Sequence, residues 1–284
     1  MSTNLPAGWP KNRPMAVCVN IPLEWWEDGD SPGVSPMGNP LKPGYPDTAS
    51  LQWAEYALKK GIYRMLDIAE SCGVKVTSST SGIITEKHPA AIKRLHSGGH
   101  EIQSHCWAQG QLPVYMKREE EEANLKKCLD AFEKCIGIRP AGFGTPRGTV
   151  SANTVELLAA NGVRYYNEDM STDMPYIQET PAGPVAVVPY GMEVNDLPFH
   201  MRHGNPLRGM TDLVADIIKG YPEIGMPPTI LDVTFHAQVA GRIVGAIQFK
   251  RILDMITKVD WMWVTTRGGI ADLILPPKPA TGVQ

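Results

Sequence analysis

The sequence predicts one α/β domain built as a (β/α) barrel. Short apolar runs with strand character alternate with longer stretches of helical periodicity along most of the chain. About eight such units, in βαβα order, suit a parallel barrel better than an open sheet. Polar side chains gather where the strand-like runs end, and that is where parallel barrels place their chemistry. The 284 residues suffice for one domain of this size.

Residues 1–14 mix Pro, Gly and polar groups and read as an N-terminal arm, without the basic-then-apolar order of a signal peptide. The barrel is assigned to 15–277 and a short tail to 278–284. The run 16–20 is a strand. Residues 53–69 carry Ala57, Ile62, Met65, Leu66 and Ile68 at helical spacing. Then follow a strand at 75–79, a helix at 89–95, a strand at 100–105 and a long helix at 117–136. The acidic run Glu119 to Glu122 opens that helix, as its dipole favours. Further strands are expected at 141–145, 163–166, 185–189, 230–235 and 262–265. Helices are expected at 152–161, 245–257 and 269–275. Two long loops, 26–51 and 195–208, each follow a strand and should overhang the same end of the barrel; the second holds His200 and His203.

Net charge is −3, which argues against a nucleic-acid surface, and no run approaches the ~18 apolar residues of a membrane span. Five cysteines without a C-x-x-C pair read as reduced thiols of a cytoplasmic protein.

The strand ends carry Asn20 and Glu24, His105, Thr145 and Arg147, Asp169 and Asp173, Glu193 to Asp196, His236, and Arg267. A lone histidine at a strand end is commonly structural. A whole ring of such groups points to a pocket. Trp25 and Trp26 flank Glu24, as an aromatic wall or as packing under the long loop. Cys106 neighbours His105, but adjacent strand residues face opposite ways, which argues against a thiol nucleophile there.

The chain resembles the polysaccharide deacetylase superfamily. Gly99-His100-Glu101 through Ser104-His105 matches that superfamily's second strand motif. Within it, the stretches Val19-Asn20, Glu55-Tyr56 with Gly61 to Leu66, and Thr145-Pro146-Arg147 with Asn153-Thr154 resemble those of metal-independent allantoinases and related cyclic imidases. So do Asp173-Met174-Pro175-Tyr176, Pro189-Tyr190 with Asn195-Asp196, His236 to Arg242, and Trp263 to Arg267. The resemblance implies a distorted barrel, a small-molecule substrate and a homotetramer, with Trp261 and Trp263 as possible interface surface.

Against the metal-dependent members two positions depart. Pro22 stands where they carry a metal-binding Asp, and Gln109 stands where they carry the second histidine after His105. No cofactor is therefore expected. The alternative is a divalent metal such as zinc held by Glu24, His105 and His236, with His200 as another possible third ligand.

The leading expectation is a hydrolase that opens a cyclic amide, imide or ureide at a C–N bond. Its catalytic candidates are Glu24 or His105 as base, Arg147 for the carbonyl oxygen, and His236 as proton donor to nitrogen. Asn20, Trp25, Trp26, Asp173, Glu193, Asn195, His200 and Arg267 are candidates for holding substrate. A metal-dependent N-deacetylase or deformylase and a silent ligand-binding member are the alternatives.

Overall fold

The computed structural model describes residues 5–276 apart from 28–29, 31, 35, 39–40 and 43. The proposed tail at 278–284 lies outside the described residues. Ten strands form one sheet: β1 Met15–Asn20, β2 Thr77–Thr80, β3 Glu101–Ser104, β4 Gly142–Phe143, β5 Tyr165–Tyr166, β6 Tyr176–Gln178, β7 Val185–Val187, β8 Val194–Asn195, β9 Thr229–Thr234 and β10 Met262–Thr265. Their order is β6-β7-β5-β4-β3-β2-β1-β9-β8, with β10 on β1.

Every pairing is parallel except β6 with β7. β1 pairs β9 along its whole length. A strand has two edges, so β10 and β2 share the other one: β10 takes Met15 to Cys18 and β2 takes over at Asn20. Among the described residues no pairing joins β6 to β8, so the sheet curls into an open half-barrel, which is the distorted form of (β/α) barrel that the resemblance implies. The reason lies in the chain after β5. A turn between Thr180 and Gly183 folds β6 back onto β7, capping that edge with an antiparallel strand. β6 is largely exposed and carries no core pattern to announce it.

β1 is buried at all six positions: Met15 to Val19 form an apolar run covered on both faces, and the strand ends on the buried polar Asn20. Helices pack around the sheet and enclose the largest core cluster, from Met15 to Met262. The helix Arg208–Gly220 was not expected. Met210 and Val214 give it a buried face, but Gly209 and Gly220 at its ends blur the periodic signal. The first 14 residues are not a free arm where described. Trp9 is buried, donates its indole N–H to the Arg13 carbonyl (2.8 Å), and meets Trp263 edge-on at 5.2 Å. Trp261 lies on Tyr221 at 5.0 Å, so both tryptophans read as interface candidates pack within the chain. No helix among the described residues is long and apolar enough to cross a membrane.

The segment expected as one helix at 53–69 runs from Thr48 to Ser71, with a π turn at Ala57–Gly61. Asp47 caps its start by accepting the Ser50 N–H at 2.9 Å. The π turn presses Gly61 against the turn that follows β9: a Cβ there would stand 2.2 Å from the Ala237 carbonyl oxygen. Arg64 donates to Tyr56 Oη (2.7 Å) and to the Gly241 carbonyl, and Arg242 lies over the Tyr56 ring at 4.1 Å. Two separate sequence motifs thus buttress one another. In an ordinary helix Gly→Ala stabilises by about 0.5–1 kcal/mol. Here overpacking, about 1–3 kcal/mol or more, outweighs it. We expect Gly61→Ala to lower the urea midpoint, and an unchanged or higher midpoint would contradict this contact.

Candidate active site

A pocket of about 440 Å³ opens at the ends of the parallel strands. Both long loops contribute, through Pro32 to Val34 and through Leu197, Pro198 and Arg202. Its floor is a buried polar network between strands. Asn20 donates to Thr234 Oγ1 (3.2 Å), and Thr234 donates to Asp232 Oδ1 (2.6 Å). Ser79 Oγ lies 2.9 Å from Gln103 Oε1 and 3.2 Å from Asn20 Oδ1, with one hydroxyl proton to give between them. Arg267, 2% exposed, anchors the network. Its Nε and Nη2 donate to Asp232 Oδ2 (3.1 and 2.7 Å), and Nη1 donates to Gln103 Oε1 (2.8 Å). Arg267 lines the pocket, and its donors are engaged in the floor.

His105 follows β3. Its Nδ1 lies 2.9 Å from the Gly144 carbonyl, which can only accept, so Nδ1 carries the proton and Nε2 keeps a bare lone pair. Burial pushes its pKa down, against the pull of Glu24 and the Gly144 hydrogen bond. The ring is a neutral base.

His236 follows β9 and is tuned the other way. Asp196, just after β8, accepts Nδ1–H at 2.7 Å and the His236 backbone N–H at 2.9–3.0 Å. Nε2 stands 3.9 Å from Glu24 Oε1, and Glu24 Oε2 accepts from Gln238 Nε2 at 3.0 Å. Burial alone would lower the His236 pKa; Asp196 and Glu24 together outweigh it and raise it. Asp196 is itself pushed up by burial, opposed by His236.

Opposite them, Glu168 lines the wall with its oxygens on the backbone N–H groups of Thr145 (2.6 Å) and Asn167 (3.3 Å). Burial raises its pKa to about 7. Arg147 reaches the pocket from a strained backbone with φ of 65°, a conformation that costs a non-glycine residue about 1 kcal/mol or more.

Of the residues read from the sequence, Asn20, Glu24, Trp26, His105, Arg147, Asn195, His236 and Arg267 all line this pocket. Four others do not. Trp25 turns away and stacks edge-on against His88 at 5.5 Å. Asp173 is exposed, and its carbonyl accepts from the Ile230 N–H. Glu193 is exposed and its carboxylate folds over Gly191. His200 has Nδ1 2.6 Å from the Asn205 carbonyl and staples its own loop. Cys106 also lies outside the pocket, its thiol pKa raised by burial. Glu168, Gln238 and Tyr190 line the pocket without having been singled out as site residues, and Asp196 stood only among the strand-end polar groups. Asp196, Gln238 and Tyr190 lie inside motifs already singled out, and Glu168 adjoins one of the strand-end carboxylates.

A catalytic zinc ordinarily takes three protein ligands from His, Asp, Glu or Cys. No three His, Cys, Asp or Glu side chains among the described residues converge as a cation cage, so the alternative trio of Glu24, His105 and His236 is not assembled. Pro22 lines the pocket where the first carboxylate would stand. Gln109 gives its Nε2–H to Ser81 at 3.1 Å.

The polysaccharide deacetylase family profile matches residues 55–166. A probable polysaccharide deacetylase from Pseudomonas aeruginosa PAO1 superposes with a TM-score of 0.83 at 24% identity, covering 95% of this chain and 94% of that one. The chain is thus similar to polysaccharide deacetylases, over residues 55–166 in sequence and over nearly its whole length in fold. PuuE allantoinase superposes with a TM-score of 0.82 at 23% identity, over 95% of this chain and 94% of its own. A Schizosaccharomyces pombe protein that carries the polysaccharide deacetylase designation is 24% identical over 241 residues, 76% of this chain and 73% of its own. At these identities the superpositions establish the fold, which is the distorted (β/α) barrel of those structures.

Proposed function

We propose that the chain is a hydrolase of C–N bonds that opens a small cyclic amide, imide or ureide without a metal. One observation carries this reading: in one pocket the His105 Nδ1 meets a backbone carbonyl while the His236 Nδ1 meets the buried Asp196 carboxylate, so the two rings are pushed in opposite directions. Groups tuned apart in this way divide into base and acid. His105 takes a proton from water at its free Nε2. The hydroxide adds to the ring carbonyl, and Arg147 draws on the developing oxyanion. The C–N bond then breaks, and His236 gives its Nε2 proton to the departing nitrogen. One proton gained and one lost leave the pair to be reset through solvent. Glu24 keeps the charged form of His236 favoured until the proton leaves. An imide or ureide nitrogen departs as a stabilised anion, which suits a site that relies on side chains alone. The family's allantoinase relative supports a ring substrate, and its deacetylase relatives support C–N hydrolysis in general.

Homo-oligomeric assembly remains part of the proposal. Ile243, Val244 and Ile247 expose apolar surface on the helix Ile243–Ile256 that a second copy could cover.

The test is a panel of five- and six-membered cyclic imides and ureides, beside N-acetyl substrates, using protein purified without a metal-affinity tag. We expect ring opening that survives chelator, with metal content near zero by mass spectrometry. Activity confined to N-acetyl substrates, or abolished by chelator and restored by zinc, would contradict the proposal.

A further inference from the structure

Two solvent-exposed guanidinium groups at the pocket have no carboxylate partner among the described residues. Arg147 and Arg202 both line the cavity, and among the described residues neither makes an ion pair. The carboxylates that could answer them are engaged elsewhere. Glu24 accepts from Gln238 and faces His236, and Glu168 takes the backbone N–H groups of Thr145 and Asn167. Asp196 and Asp232 are held by His236 and Arg267.

Each arginine is also delivered by an unusual backbone. Arg147 sits at φ 65° between Pro146 and Gly148. A cost of that kind persists where the surroundings demand it, and such outliers gather at ligand sites. Arg202 closes the π-helix Leu197–Arg202, a form that is rare and frequent at functional sites. The Asn195 side chain fixes the start of that turn by accepting the Leu197 N–H at 3.0 Å. Arg202 and His236 line the same pocket.

We infer that Arg147 and Arg202 form a carboxylate-binding subsite, which holds the carboxylate produced when the ring opens. Hydrolysis of an imide consumes one water and turns the attacked carbonyl into a carboxylic acid, which loses its proton near neutral pH. The arginine that draws on the oxyanion thus faces an anion once the C–N bond has broken, and the second arginine shares it. The inference rests on the ring-opening reading for the origin of the carboxylate. The subsite itself requires only that the pocket prefers an anion.

The test is calorimetric binding of succinamate, the ring-opened form of succinimide, against its neutral analogue succinamide, with the full chain at neutral pH. Hydrogen bonds to charged groups predict about a 10- to 100-fold preference for succinamate, weakened by salt. Arg202→Gln and Arg147→Asn should each reduce the preference, and the double variant should erase it. Asparagine tolerates the left-handed backbone at 147, so the melting temperature should hold. Equal affinity for the two probes, no binding of succinamate, or a preference that survives in the double variant would overturn the subsite. Ring opening without an anion preference would remove the subsite alone. An anion preference in a protein that opens no ring would remove the ring-opening reading and leave the subsite.

Discussion

His236→Gln is expected to lower kcat on a ring substrate by about 10²- to 10⁴-fold, the usual contribution of a positioned proton donor. Glutamine can still donate to Asp196, so the fold around β8 and β9 should hold and the loss should fall on the chemical step. The neighbours give a finer test. Asp196 and Glu24 raise the His236 pKa against burial. Asp196→Asn removes the nearer charge, so burial should then pull the ring toward its neutral form. The sign follows from the roles. His105 must be neutral to act as base, and its pKa is lowered, so activity rises with pH on an acid limb below the ordinary imidazole range. His236 must be protonated to act as acid, and its pKa is raised, so activity falls on an alkaline limb above that range. In Asp196→Asn the alkaline limb should move to lower pH while the acid limb stays. Rate profiles of kcat/KM against pH for the two proteins check this. The limbs belong to the coupled Glu24–His236–Asp196 group as a whole. An unmoved alkaline limb would assign it to another residue, with Glu168 the first candidate.

Arg267→Met should be the most damaging single change to stability. The guanidinium and Asp232 are both buried, and removing one partner leaves an uncompensated charge in the barrel floor. Breaking such a pair costs about 3–5 kcal/mol, a large part of the ~5–15 kcal/mol that holds a domain together. Gln103 and Ser79 would lose a donor as well. Replacing both charges, as in Arg267→Met with Asp232→Leu, should recover much of the loss, because well-packed apolar groups often match a buried ion pair. Urea unfolding of the two single variants and the double variant gives the answer. A fully stable Arg267→Met with weakened substrate binding would return Arg267 to a substrate-holding role.

The sequence made the main frame legible because its parallel strands are apolar and its helices amphipathic. Met15–Asn20 and Met262–Thr265 needed no more than an apolar run. The parts that were not legible have weak local signals. β8 is two residues long, and β6 is held by backbone pairing with little side-chain burial. Whether the sheet closes depends on how the segment after β5 folds back, which no periodicity records.

The site divides along similar lines. Polar residues at the ends of strands that the apolar pattern marks do line the pocket: Asn20 ends β1, His105 follows β3, and His236 follows β9. Further along a loop, alternation no longer governs direction. β5 ends at Tyr166, after which Glu168 enters the pocket. The neighbouring Asp169 caps the Ser171 N–H (2.7 Å) and accepts from Tyr176 Oη (2.9 Å). Asp173, Glu193 and His200 were read from loops by their chemistry alone, and each serves or faces something outside the pocket. Asp196 was within the ring of strand-end groups, but its pairing with His236 joins residues 40 positions apart and depends on β8 lying beside β9.

The most direct measurement is an NMR titration of the His105 and His236 imidazoles, assigned by single substitution. The account predicts that His105 stays neutral to a pH below the ordinary imidazole range, with its proton on Nδ1, and that His236 stays charged to a pH above it. The reverse order, or two rings titrating together, would contradict the division into base and acid on which the proposed chemistry rests.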